Sequence, residues 1–229
     1  MKRYSITLAT FCACLGASAI SADAPDFRET FDVKKSDLSS TGKSDYFVLE
    51  PGFVAVFEGK EEGQEMVLTI TVTDQTKTVD GVETRVVEEK ETANGKVVEI
   101  SQNYFAISKT TGDAYYFGED SVTYKDGKEI NHEGSWLSGV AGARFGMAMP
   151  GKPKVGDAYY QELAPKVAMD RAEVVSITET LKTPAGEFKN CVKTKETTTL
   201  EKGTEYKICA PGVGLVKDGE LHLVKYGAK

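Results

Sequence analysis

Four dipeptides, Asp80-Gly81, Asn94-Gly95, Asp126-Gly127 and Asp218-Gly219, each lie between runs rich in Val, Thr, Tyr or Ile. The tightest hairpin turns need positive φ at both central residues, which Asn, Asp and Gly tolerate and β-branched residues do not. Most of the chain is therefore committed to antiparallel hairpins. Between turns, MVLTITVT shows what such strands look like: Met66, Leu68, Ile70 and Val72 share one face, and three threonines take the other. That period is two, not the 3.6 of a helix.

Strands are expected near residues 53–58, 65–78, 82–91, 96–107, 114–117, 121–125, 128–133, 157–163, 171–179, 187–199, 204–210, 213–217 and 220–226. The intervals are short, so consecutive strands should pair as an antiparallel meander rather than cross over through helices. So many strands in a flat sheet would leave open edges, and the expected fold is an all-β barrel or strongly curved half-barrel. The segment 134–156, GSWLSGVAGARFGMAMPGKPKVG, breaks the rhythm and reads as one long irregular connection.

The N-terminus stands apart. Lys2 and Arg3 precede an uncharged run from Tyr4 to Ile20 followed by small residues, the build of a secretory signal peptide, with Ala17, Ala19 and Ala22 suiting its cleavage. Neither Cys12, preceded by Phe11, nor Cys14, preceded by too little of the apolar run, reads as a lipid-attachment site. The organisation expected is a signal peptide at 1–22, a polar arm at 23–45 and a single all-β domain at 46–229. The destination would be the periplasm or the extracellular space. No later stretch approaches the ~20 apolar residues that span a bilayer, so the chain is expected not to be membrane-spanning. Its formal charge of -7 becomes -9 once Lys2 and Arg3 are removed, with no basic run to offset it. Nucleic acid is therefore excluded as a partner.

Two cysteines remain beyond the leader. In FKNCVKTKETTTL and TEYKICA, alternation places Cys191 and Cys209 on the polar face of one hairpin turning near Gly203. In an oxidising compartment this predicts a cross-strand disulfide. CAPGVGLVKDGELH has glycines two apart, like the start of a phosphate-binding loop. That loop, however, must open a helix, whereas Leu221 to Tyr226 reads as a strand.

The segments YFVLEPGFVAVFEG, TKTVDGVETRVV, AYYFGED, EGSWLSGVAGARFGMAMPGKPKVGDAYYQE and APGVGLV occur in that order over roughly residues 46–216. Together they resemble a family of exported bacterial all-β proteins of unknown function. The resemblance implies no activity and transfers no site residue.

Candidate chemistry is sparse. His132 and His222 are the only histidines, and no nucleophile motif accompanies either. No catalytic residue and no cofactor are assigned. Glu119, Asp120, His132 and Glu133 lie close in sequence and are candidate metal ligands, because oxygen donors at that density suit Ca²⁺. Their alternation across strands equally fits the solvated face of a hairpin. Trp136, Arg144, Phe145, Met147 and Met149 are candidate ligand-binding residues, a flexible apolar lip in the irregular segment. The alternate spacing of 145, 147 and 149 also fits a short core strand. If these residues line the mouth of a curved sheet, the ligand would be an apolar small molecule, a lipid acyl chain or a peptide. The reading favoured is a secreted or periplasmic non-enzymatic binding module for an apolar ligand or partner. The alternatives are an Asp/Glu-dependent hydrolase of an envelope or extracellular polymer, and a structural or assembly protein with a protein partner.

Overall fold

The computed structural model describes residues 25–228, and the expected signal peptide at 1–22 lies outside the described residues. The all-β expectation holds: among the described residues there is no α-helix, and the main strands form one antiparallel sheet. In chain order these are β1 (Phe53–Glu61), β2 (Gln64–Val79), β3 (Val82–Ala93), β4 (Lys96–Ser108), β5 (Ala114–Lys125), β6 (Arg144–Met149), β7 (Ala158–Tyr160), β8 (Glu162–Leu163), β9 (Asp170–Thr183), β10 (Gly186–Thr198), β11 (Glu205–Ala210), β12 (Gly214–Asp218) and β13 (Leu221–Ala228). Their spatial order is β7-β9-β10-β11-β12-β13-β1-β2-β3-β4-β5-β6-β8.

The two ends of that series are neighbours in the chain, separated only by Gln161. β7 pairs with β9, and β8 pairs with β6. The sheet thus curls into a barrel that is nearly closed, with one seam along residues 158–163. The Gln161 amide donates to the Asp170 carbonyl at 2.7 Å beside the seam. Gly146 permits the close approach on the other side, since a Cβ there would overlap the Gln161 carbonyl oxygen.

The turns behave as their chemistry requires. Asp80, Asn94 and Asp126 adopt φ near +50°, each followed by a glycine at positive φ, whereas at the fourth turn only Gly219 does so. APGVGLV is a turn between β11 and β12, with Gly212 and Gly214 at positive φ and no helix after it.

Three local expectations are corrected. Residues 114–125 form one continuous strand, not two. The break expected around Gly118 is a bulge that bends the strand without ending it. The segment 134–156 is not wholly irregular: Trp136–Leu137 pairs with β5, and β6 pairs with β5 on one side and β8 on the other. The expected disulfide is absent, because Cys191 and Cys209 are both buried free thiols. The register sets Val192, not Cys191, opposite Cys209, so the two sulfurs leave opposite faces of the hairpin.

Both faces of the sheet are covered around β3, β4 and β5. Val86, Tyr104, Ala106, Tyr115 and Phe117 belong to the largest buried cluster, together with Met147 and Tyr159. The segment before β1 packs on this cluster through Phe31, Val33 and Leu38. Phe31 meets Tyr115 edge-on at 5.7 Å, and Asp37 accepts hydrogen bonds from Ser108 Oγ at 2.6 Å and Thr110 Oγ1 at 2.9 Å. In β3, β4 and β5 the residues of opposite parity, such as Val87, Phe105 and Tyr116, face the barrel interior.

Candidate functional site

Inside the barrel lies a cavity of about 220 Å³. Strand alternation supplies its wall. β1 contributes Phe53, Ala55 and Phe57, β2 contributes Ile70 and Val72, and β3 contributes Val87 and Glu89. Register aligns these side chains into rows, one of which runs Ala55, Ile70, Glu89, Ser101 around the barrel. Phe105 and Tyr116 stack with ring centroids 4.6 Å apart, and Phe47 leans on Phe105 at 5.4 Å. One side of the cavity is thus aromatic and aliphatic.

The other side is acidic. Glu89, Glu119, Glu162, Asp170, Glu196 and Asp218 all line the cavity, with Lys207 as the basic residue among them. Lys207 Nζ stands 3.2 Å from Glu196 and 3.8 Å from Asp218. Glu196 also accepts from Gln161 Nε2 at 3.1 Å and Thr194 Oγ1 at 3.4 Å. Burial pushes the Glu89 and Glu119 carboxyls up to about 7, because desolvation penalises the charged form. Glu162 is pushed up by burial and then by repulsion from Asp170 and Glu119.

A β-bulge brings Glu119 inward. Asn103 pairs with Glu119 while Phe105 pairs with Tyr116, so one extra residue is accommodated around Gly118. Tyr116 and Glu119, three apart, consequently face the same cavity. The Tyr116 hydroxyl donates to Asn103 Oδ1, and Asn103 donates to Ser101 Oγ at 3.0 Å. This network fixes the polar corner.

A wider recess of about 760 Å³, edged by the hairpin ends around residues 60–64 and 201–206, shares Asp170 and Glu196 with the inner cavity. Those two carboxylates mark where the two spaces meet.

The candidate ligand-binding residues are dispersed. Met149 lines the cavity, carried there by a register shift between Met147 and Met149. Met147 is buried in the cluster on the other face, and Phe145 stacks on Phe117 at 4.8 Å. Trp136 is buried against Tyr116, and Arg144 is exposed beside Glu29 at 3.4 Å. The four candidate metal ligands do not converge. Glu119 points inward, Asp120 is exposed 3.6 Å from His132, and Glu133 is exposed. Among the described residues no three His, Cys, Asp or Glu side chains are grouped to hold a metal ion. Sequence reasoning missed Glu89, Glu162, Glu196 and Lys207 because charged residues on strands are ordinarily assigned to the solvent side. The glycine at 118 was the available signal for the bulge.

These features define a nearly closed all-β barrel with an internal cavity that is apolar on one side and acidic on the other. No family model and no curated protein matches the chain. Among solved structures it is similar to a "putative lipoprotein" from Parabacteroides distasonis ATCC 8503. The two are 16% identical with a TM-score of 0.39, and the match covers 82% of this chain and 100% of the other. No helix among the described residues is long and apolar enough to cross a membrane.

Proposed function

We propose that the protein is an exported, non-enzymatic binding module of the exported all-β family it resembles, and that its barrel interior holds a small ligand with an apolar body. The observation that carries this reading is the cavity of about 220 Å³ walled by Phe47, Phe53, Phe57, Ile70 and Phe105. An engineered apolar cavity of about 150 Å³ takes up benzene, so the space suits one ring with a short substituent. Pocket walls of this kind, mostly apolar with a few polar groups fixing orientation, are the usual form of small-molecule sites.

The buried carboxylates are what favours the second reading, a hydrolase using Glu119 and Glu162. A polymer substrate would have to reach those groups through the recess and the acidic neck, and a narrow internal cavity accepts a chain poorly. An assembly role would draw on open sheet edges, such as β9, where β7 pairs with residues 171–173, and would give the internal cavity no part.

Native mass spectrometry of the protein purified from its own exported fraction tests the proposal. A stoichiometric small-molecule adduct is expected. A clean apo mass, together with a melting temperature unmoved by 2-phenylethanol, would refute it.

A further inference from the structure

We infer that the cavity selects a ligand bearing a positive charge on its apolar body, a small organic ammonium ion, with Glu162 as its counter-charge. The inference rests on the reading of the cavity as a binding site. Among the described residues, six carboxylates line a space whose one side-chain cation, Lys207, already stands beside Glu196 and Asp218. Acidity alone would not identify a site, but Glu162 adds an independent observation. It is only 8% exposed, and its Oε2 has no hydrogen-bond partner. A buried carboxyl oxygen without a donor is costly. An ammonium group entering the cavity would supply both the donor and the compensating charge, and such charge-assisted hydrogen bonds are among the strong ones.

The surroundings agree. The outer recess carries Glu61, Glu62, Glu91, Glu201, Glu205 and Glu220 against Lys60, Lys202 and Lys217, so the approach has the same sign as the interior. A negative funnel concentrates cations and repels anions. An acyl carboxylate, otherwise a natural occupant of an apolar barrel, would bring a further negative charge to the acidic wall. The aromatic side adds Phe105 and Tyr116, whose stacked rings line the same space as the carboxylates. The acids are spread around the wall rather than gathered on one point, and no metal-holding group forms among the described residues. A monoatomic ion fits that layout less well than an elongated organic cation. Burial raises the carboxyls of Glu89 and Glu119 to about 7 and that of Glu162 well above its ordinary range, so without a counter-ion all three favour the protonated form near neutral pH. Docking of the cation would favour the ionised forms, so binding at neutral pH should release protons.

The test uses three probes with nearly one shape: phenethylamine, 2-phenylethanol and 3-phenylpropionate, titrated calorimetrically at pH 7 into the purified protein. Phenethylamine should bind at least about tenfold more tightly than the alcohol, and the carboxylate should give no measurable binding. Its binding enthalpy should differ between phosphate and Tris buffers, as proton release requires. Glu162→Gln should bring the amine to within about twofold of the alcohol without weakening the alcohol. If that variant fails to fold, the selectivity of the wild-type protein still decides the matter. Equal or stronger binding of the alcohol or the carboxylate would overturn the charge inference while leaving the binding-module reading intact. Binding of none of the three would remove both.

Discussion

Glu89→Gln should make the protein less sensitive to pH. In the folded chain the Glu89 carboxyl faces the cavity and is raised from 4.5 to about 7 by burial, with smaller effects from Lys207 and Asp218. In the unfolded chain it ionises near 4.5. Between those two values the native state binds more protons than the unfolded one, so stability falls as pH rises. A shift of about 2.5 units at ~1.4 kcal/mol per unit amounts to roughly 3 kcal/mol, present in full below pH 4.5 and lost by pH 7. Glutamine keeps the shape and a neutral head group and does not titrate. Urea unfolding of wild type and variant at pH 4.5, 5.5, 6.5 and 7.5 reads the effect. The variant should be close to wild type at the acid end and gain about 1.5 M in midpoint at the neutral end, for an m-value of about 2 kcal/mol per M. A difference between the two proteins that stays constant across the series would refute the argument, because it would mean that Glu89 ionises in the fold as it does in water.

Other perturbations probe the seam, the thiols and the cavity. Gly146→Ala would drive a methyl into the Gln161 carbonyl and should cost roughly 2 kcal/mol or more as the seam separates; an unchanged melting temperature would show that the seam closes by other contacts. Burial pushes the Cys209 thiol up to about 12 and raises Cys191 as well, so Ellman's reagent should find no reactive thiol in the native protein and both in guanidinium without reductant. Failure to find them in guanidinium would show that a disulfide forms after all. Val87→Phe places a ring into the cavity that Val87 lines and should abolish uptake of 2-phenylethanol while leaving the fold intact, as followed by calorimetry and near-ultraviolet circular dichroism.

By itself the sequence determined the class of fold. Asp80-Gly81, Asn94-Gly95 and Asp126-Gly127 encode turns whose positive φ is a local property, and the alternation in MVLTITVT encodes strands, so neither depends on distant residues. Curvature followed from the number of strands. What the sequence left undecided was which face of each strand lies inside, because a one-residue shift of register exchanges the two faces. Cys191 shows this directly: placed opposite Val192's partner it would meet Cys209, yet the observed register points the two sulfurs apart. Glu119 shows it again, since the bulge at Gly118 turns it inward while its neighbour Asp120 stays outside. VVEEKETA carries charges on both faces of β3, and periodicity cannot say that Glu89 rather than Glu88 borders a cavity. Long-range pairing made that choice by joining β6 and β9 through residues 158–163 and enclosing whatever faced the axis. The barrel's acidic interior is therefore a consequence of closure and register, properties held by pairs of strands and by no single segment of the chain.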